Sequence, residues 1–343
     1  MTQNHYSHIT VARGMSIILV AFGHAQFPAM NDYLTSALGV VRMPFFFLLT
    51  GLFFSSAKSW PAYSERKVSA LLKPYFFVLL LIGLKQWLDG DDMPLYLQGI
   101  FYGNGQTIPW TPLWFLPHLF LLYMLAMLVF RHYQLLQQPR WQQVLVVAGL
   151  LLAGGALLNA LQTQLFSQAT SPLLQTGLPW GLDFLLLSFG FFTIGYLSRQ
   201  YVLHLQFQPL WLGLAAALFL LLVAIAGARL DFNLRLYTPY WCLPLISLTG
   251  CMMLLQLAVL FSRVALLKNV LAICGQYSLY ILIFHVFIQM KLNTVFPAVT
   301  FSNSFMVLFG SIAMPVMAGI VIRRFFWLRL WFEPISSAKR VTG

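Results

Sequence analysis

Ten apolar stretches, each about long enough to cross a bilayer, leave this chain few ways to fold. Hydrocarbon offers no water to the backbone, so a spanning segment must pair its own N–H and C=O groups as a helix or close into a barrel. A helical span takes about 20 mostly apolar residues. Such stretches lie at roughly 9–28, 34–56, 70–88, 113–131, 142–160, 180–198, 209–228, 238–262, 270–290 and 301–322. Of the 343 residues, 60% are hydrophobic and 8% charged, against about 25% charged in an ordinary soluble domain. The expected fold is therefore an all-α membrane protein, a polytopic bundle of about ten transmembrane helices. No internal repeat of useful length is visible. No soluble domain fits, because the longest stretch between spans is roughly 89–112. Residues 1–324 are expected to form one transmembrane domain. Residues 325–332 (Phe-Phe-Trp-Leu-Arg-Leu-Trp-Phe) are too short to span, so 325–343 reads as an interfacial segment or aromatic end-cap and a tail.

Charge sets the expected orientation, since Lys and Arg collect in cytoplasmic loops. Fourteen basic residues fall on the side of the N-terminus: Lys58, Arg66, Lys67, Lys73, Arg131, Arg140, Arg199, Arg263, Lys268, Arg323, Arg324, Arg329, Lys339 and Arg340. The opposite loops hold Arg229, Arg235 and Lys291, with Lys85 and Arg42 near that side and the acidic cluster Asp89, Asp91 and Asp92. Both termini are expected in the cytoplasm. The net charge of +12 is spread over short loops and gives no nucleic-acid patch. Cys242, Cys251 and Cys274 have no metal-type spacing, so neither a disulfide framework nor a metal site is expected. Met1 to His8 lacks a basic leader and no small-residue cleavage site follows, so no cleavable signal peptide is expected.

Ionisable groups inside a membrane are costly and point to function. Arg13 and His24 lie eleven residues apart in the first apolar stretch. At about 100° per residue they would share one helix face, roughly 16 Å apart along the axis. With the expected topology, His24, Arg42, His118 and His285 come from four spans and share the outer half. A polar cavity open to the outside follows, with Arg13 below it. Each residue also has a plainer reading. Arg13 and Arg42 can be anchors that snorkel to headgroups. His24 can be a histidine bonded to a neighbouring helix, and His118, beside Pro117, can sit at the interface. Asp183 can pair with an arginine inside the bundle or cap a helix at the water boundary. Asp89, Asp91 and Asp92 read as a solvated loop, and the Phe45–Phe47 run as a packing face. Gly51 suggests close helix approach.

Four stretches together resemble the membrane-bound acyltransferase-3 family. They are Arg13 and His24 with ten residues between; Arg42-Met43-Pro44-Phe45-Phe46-Phe47-Leu48-Leu49-Thr50-Gly51; Leu113-Trp114-Phe115-Leu116; and Ser278-Leu279-Tyr280-Ile281-Leu282-Ile283-Phe284-His285. Phe191-Phe192-Thr193-Ile194-Gly195-Tyr196-Leu197 is similar to a glycine-tyrosine span of the family. The resemblance implies an integral-membrane O-acyltransferase in a bacterial inner (plasma) membrane. Its co-substrate would be acetyl-CoA or another short acyl-CoA, with no bound cofactor, and its acceptor a glycan or lipid-linked sugar of an exopolysaccharide or lipopolysaccharide type. Any second transfer step is expected to need another protein. A histidine is a natural base for removing the acceptor hydroxyl's proton, and an arginine offers a planar donor fork for a donor's phosphate or carbonyl oxygens. His24 and Arg13 are thus the expected catalytic pair. Arg42, His285, Trp114, His118 and Asp183 are candidates for substrate contacts. An acyl-histidine relay stays open beside direct transfer. The competing classes are a transporter or flippase for a lipid-linked sugar, and a non-catalytic scaffold of envelope assembly. Neither calls for the Arg13/His24 spacing.

Overall fold

The computed structural model describes residues 6–28, 30–56, 59–90 and 92–334. Lys58, Asp91 and the tail from 335 with Lys339 and Arg340 lie outside the described residues, as does the start of the N-terminal leader reading. In chain order the helices are α1 (Ser7–Phe22), α2 (Asp32–Leu52), α3 (Trp60–Lys67), α4 (Lys73–Asp89), α5 (Met93–Tyr102), α6 (Phe115–His132), α7 (Arg140–Leu161), α8 (Pro172–Gln175), α9 (Leu185–Leu203), α10 (Pro209–Ala226), α11 (Leu243–Phe261), α12 (Ala265–Gln276), α13 (Ser278–Val295), α14 (Phe301–Arg324) and α15 (Phe326–Phe332). A π-helical turn at Val68–Leu72 joins α3 to α4, and one-turn 3-10 segments lead into α6 and α9. Two short antiparallel strands, β1 (Arg229–Asp231) and β2 (Leu236–Thr238), pair Leu230 with Tyr237. The protein is thus an all-α polytopic membrane protein with one small hairpin.

Nine helical stretches among the described residues are long and apolar enough to cross a membrane. The helices differ from the sequence expectation at two places. α1 has only 16 residues and stops at Phe22, two residues before His24. Its end tightens into i→i+3 bonds, His24 N–H to Ala21 O and Ala25 N–H to Phe22 O, as helix ends do when the next carbonyls lose their partners. The apolar stretch 270–290 is not one span. It is divided between α12 and α13, with the break at Tyr277 (φ −102°, ψ 17°).

The short α1 is tolerated because it lies at the centre. Val11, Ala12, Ile17 and Ala21 are fully buried, and α12, α11, α13 and α2 pack around it. The helices α7, α10 and α14 leave most of their surface outward. Close approach rests on small residues, which in lipid replace the hydrophobic effect as the basis of helix contact. A Cβ on Gly14 would fall 1.9 Å from the Leu271 carbonyl oxygen on α12. On α2 and α9, a Cβ on Gly51 would fall 2.0 Å from the Phe192 carbonyl oxygen, and one on Gly195 1.9 Å from that of Leu48. Neither pair of backbones could meet at this distance with any side chain present. An aromatic cluster fills the core beside α2 and α9: Phe130 stacks on Tyr196 at 4.3 Å, and Phe54 meets Phe192 at 5.5 Å. At one end α15 folds back on the bundle. Trp331 stacks on Phe77 at 4.6 Å, Lys73 Nζ donates to the Glu333 carbonyl (2.8 Å), and Arg323 pairs with the Glu333 carboxylate.

Gly195→Leu is expected to lower the melting temperature of the detergent-solubilised protein, with overpacking of about 1–3 kcal/mol or more. Gly149→Leu is the control. A Cβ there meets nothing within 4 Å among the described residues, and the melting temperature should hold.

Candidate active site

Four helices present matching stripes to one seam. From α1 and the turn after it come Arg13, Ser16, Val20 and His24; from α2 and the residue after it Met43, Phe46, Thr50 and Phe53; from α6 and its lead-in Trp114, Phe115, Leu119 and Tyr123; from α13 Ser278 and Leu282. The spacings of three, four and seven are those that keep side chains on one helix face. The seam opens into two cavities. One, of about 200 Å³, holds Arg13, Ser16, Thr50, Phe53 and Tyr123. The other, of about 80 Å³, holds Val20, His24, Arg42, Trp114 and the β-hairpin residues Leu230 to Asn233. Phe46 lines both and lies between them, its ring edge-to-face with Phe115 at 4.7 Å. A third cavity of about 330 Å³ adjoins the His24 cavity, sharing Arg42, Leu230 and Asp231 and adding Asp32, Thr35, Ser36 and Arg229.

At the first cavity the Arg13 guanidinium rests on the Phe53 ring, 4.4 Å from its centroid, and its side chain is exposed. Lys67 Nζ lies 3.1 Å from the centroid of the Tyr123 ring in the same wall. Such contacts hold a cation at a mouth without neutralising it. The Ser16 hydroxyl is buried in the seam with no hydrogen-bond partner among the described residues.

At the second cavity His24 is exposed to the cavity and its ring lies 5.3 Å from that of His285. Arg42 is half-buried and packs against the glycine before His24: a Cβ on Gly23 would fall 1.8 Å from Arg42 Nη1. Arg42 Nε has no hydrogen-bond partner among the described residues. Trp114 forms part of the wall.

The structure thus brings together Arg13, His24, Arg42 and Trp114 along one seam, with His285 behind His24. It corrects the placement of His24, which stands on the turn beyond α1 rather than within a helix. His285 is fully buried and does not line the cavity. His118 is fully buried, not interfacial. Its Nδ1 donates to the Trp180 carbonyl (3.1 Å) and its Nε2 lies 2.9 Å from the Ser188 hydroxyl, so both ring nitrogens are committed to structure. Asp183 forms the intrabundle pair, 2.8 Å from Arg235 Nε, with side-chain exposures of 0% and 3%. Neither His118 nor Asp183 lines a cavity named above.

Their joint effect is to roof the site. Arg235, at the end of the turn between β1 and β2, inserts its guanidinium beside Asp183. One residue along, Phe184 stacks on Phe232 of the hairpin at 4.8 Å and on His118 at 4.3 Å. The Asp231 carboxylate accepts from the N–H groups of Asn233 (2.8 Å) and Leu234 (3.1 Å), closing the turn that faces His24. Sequence reading missed this hairpin and the double role of Phe46. The alternation Leu230-Asp231-Phe232 … Leu234-Arg235-Leu236 around an Asp-Phe-Asn turn was the available signal.

Asp183→Ala strands a buried guanidinium. It should cost about 3–5 kcal/mol, read as a lower melting temperature, and a double change removing Arg235 as well should recover part of it.

Compared with known families, residues 6–324 match the acyltransferase-3 model, described as an acyltransferase domain. No curated protein and no solved structure matches the chain.

Proposed function

This chain belongs to the acyltransferase-3 family and is a membrane acyltransferase, and from that premise we propose that it moves acetyl from cytoplasmic acetyl-CoA to a hydroxyl of a cell-surface or lipid-linked glycan across a bacterial inner membrane. The observation that carries this reading is the seam: a cation-bearing cavity at one end, an accessible imidazole at the other, and one aromatic ring between them. The positive-inside bias supports placing the Arg13 end in the cytoplasm, where Arg66, Lys67, Arg323 and Arg324 also lie.

On this reading Arg13, with Lys67 nearby, receives the anionic groups of the donor. The extended arm runs along the α1 stripe, past Ser16 and Val20, to the turn that carries His24. The Phe46 ring turns aside to admit the thioester to the His24 cavity. The acceptor enters from the third cavity, whose carboxylates, hydroxyls and guanidiniums suit a polyhydroxylated ligand. His24 takes the proton of the attacking hydroxyl as its oxygen bonds to the thioester carbonyl carbon. The C–S bond breaks, and the departing thiolate receives that proton from His24. Arg42 lies where it can donate to the carbonyl oxygen as charge develops.

Proton NMR of purified surface polysaccharides tests the reading. The comparison is a deletion strain, its wild-type complement and a His24→Ala complement at equal membrane levels. One polysaccharide should lose an acyl signal in the deletion, regain it with wild type and not with His24→Ala. Loss of a positioned base costs about 10²–10⁴-fold in rate. Unchanged acyl signals with less surface glycan would instead favour a transporter or scaffold. Phe46→Trp should cut the same signal with protein level unchanged, because a larger ring fills the passage.

A further inference from the structure

His24 stands on a turn and needs outside support to hold one ring orientation. Two residues one helical turn apart on α13 face it. Gln289 Nε2 donates to the Ala21 carbonyl (2.9 Å), which also accepts from the backbone N–H of His24 (3.3 Å). His285 is the second. Its Nδ1 lies 2.8 Å from the Ile281 carbonyl and 3.1 Å from that of Leu282. Carbonyl oxygens only accept, so Nδ1 carries the hydrogen and Nε2 is left with a lone pair. That Nε2 is buried and has no hydrogen-bond partner among the described residues. A buried acceptor left unpaired costs about 1–3 kcal/mol, and the ring beside it, 5.3 Å away and tilted by 54°, is His24.

Building on the reading of His24 as the base, we propose that His285 is its positioning residue: Nε2 of His285 accepts the ring N–H of His24. A turn of the exposed His24 ring about its own axis makes the bond. It fixes the tautomer in which the other His24 nitrogen offers its lone pair to the cavity. When His24 takes up the acceptor's proton, the same bond becomes charge-assisted and stronger. His285 cannot act on substrate itself, because its free nitrogen is buried.

Two measurements on the purified full-length protein test this. One is carbethoxylation of His24 by diethylpyrocarbonate, followed by mass spectrometry. The other is transfer from acetyl-CoA to the polysaccharide that the strain comparison identifies. His285→Phe keeps the ring but not the lone pair. It should slow His24 modification several-fold and lower kcat at least about tenfold, as loss of a tautomer-fixing partner does, with KM for acetyl-CoA unchanged. His285→Gln, whose Oε1 can accept the same hydrogen, should recover much of both. Wild-type modification and kcat in His285→Phe would overturn the proposal. So would equal losses in both variants, which mark a packing role. If wild type acylates no polysaccharide, the reading of function fails by itself and the modification rates alone decide the role of His285.

Discussion

Backbone contact at Gly14, Gly51 and Gly195 is the constraint on which the rest of the structure depends. In a bilayer the lipid tails compete with any apolar helix face, so helices gain by approaching more closely than lipid can. Gly14 lets α12 reach the backbone of α1, and Gly51 with Gly195 lets α9 reach that of α2. These contacts fix α1 at the centre and hold α2 beside it. The stripe from Arg13 to His24 then faces the stripe from Met43 to Phe53, and the seam between them is walled by α6 and α13. A central helix need not match the thickness of the hydrocarbon, because its neighbours cover its ends. That is why 16 residues suffice for α1 and why a polar turn bearing His24 can stand inside the bundle.

The roof of the site is held by a different force. Desolvating Asp183 and Arg235 is expensive, and their mutual attraction rarely exceeds that cost. What such a pair does well is specify one arrangement. Here it sets the hairpin in a single register over His24, with the Phe232, Phe184 and His118 rings stacked beneath it. His118 and Asp183 therefore shape the cavity without reaching into it. The third cavity opens alongside the hairpin, so the groups that hold the roof also set the width of the approach to Arg42.

Much of this was legible in the residues. Spacing alone placed Arg13 and His24 on one line; of the four ionisable residues expected to share a polar cavity, His24 and Arg42 line it, whereas His118 and His285 are buried away from it. Gly51 announced a close contact that the structure places against α9. The misjudged parts involve tertiary context. The stretch 270–290 reads as one span because its composition is uniformly apolar, yet the break at Tyr277 follows from α12 closing on α1 at Gly14. His118 looked interfacial because it sits beside a proline at the start of an apolar run. Residues distant in the chain, Phe47, Trp180, Phe184 and Ser188, close around it. The hairpin is ten residues, Arg229–Thr238, between two long apolar runs, too short to stand out beside them. Phe46 lies in a run of three phenylalanines, and nothing local separates the one that divides the cavities from the two that pack.

The claim at the centre of the account is that one seam carries the donor from Arg13 to His24. A structure of the reconstituted protein with a non-hydrolysable thioether analogue of acetyl-CoA tests it most directly. The account predicts the phosphates beside Arg13 and Lys67, the arm along Ser16 with the Phe46 ring displaced, and the acyl carbonyl in the cavity of His24 and Arg42. A donor bound outside the seam, or one whose acyl group stays on the Arg13 side of an unmoved Phe46, would contradict it.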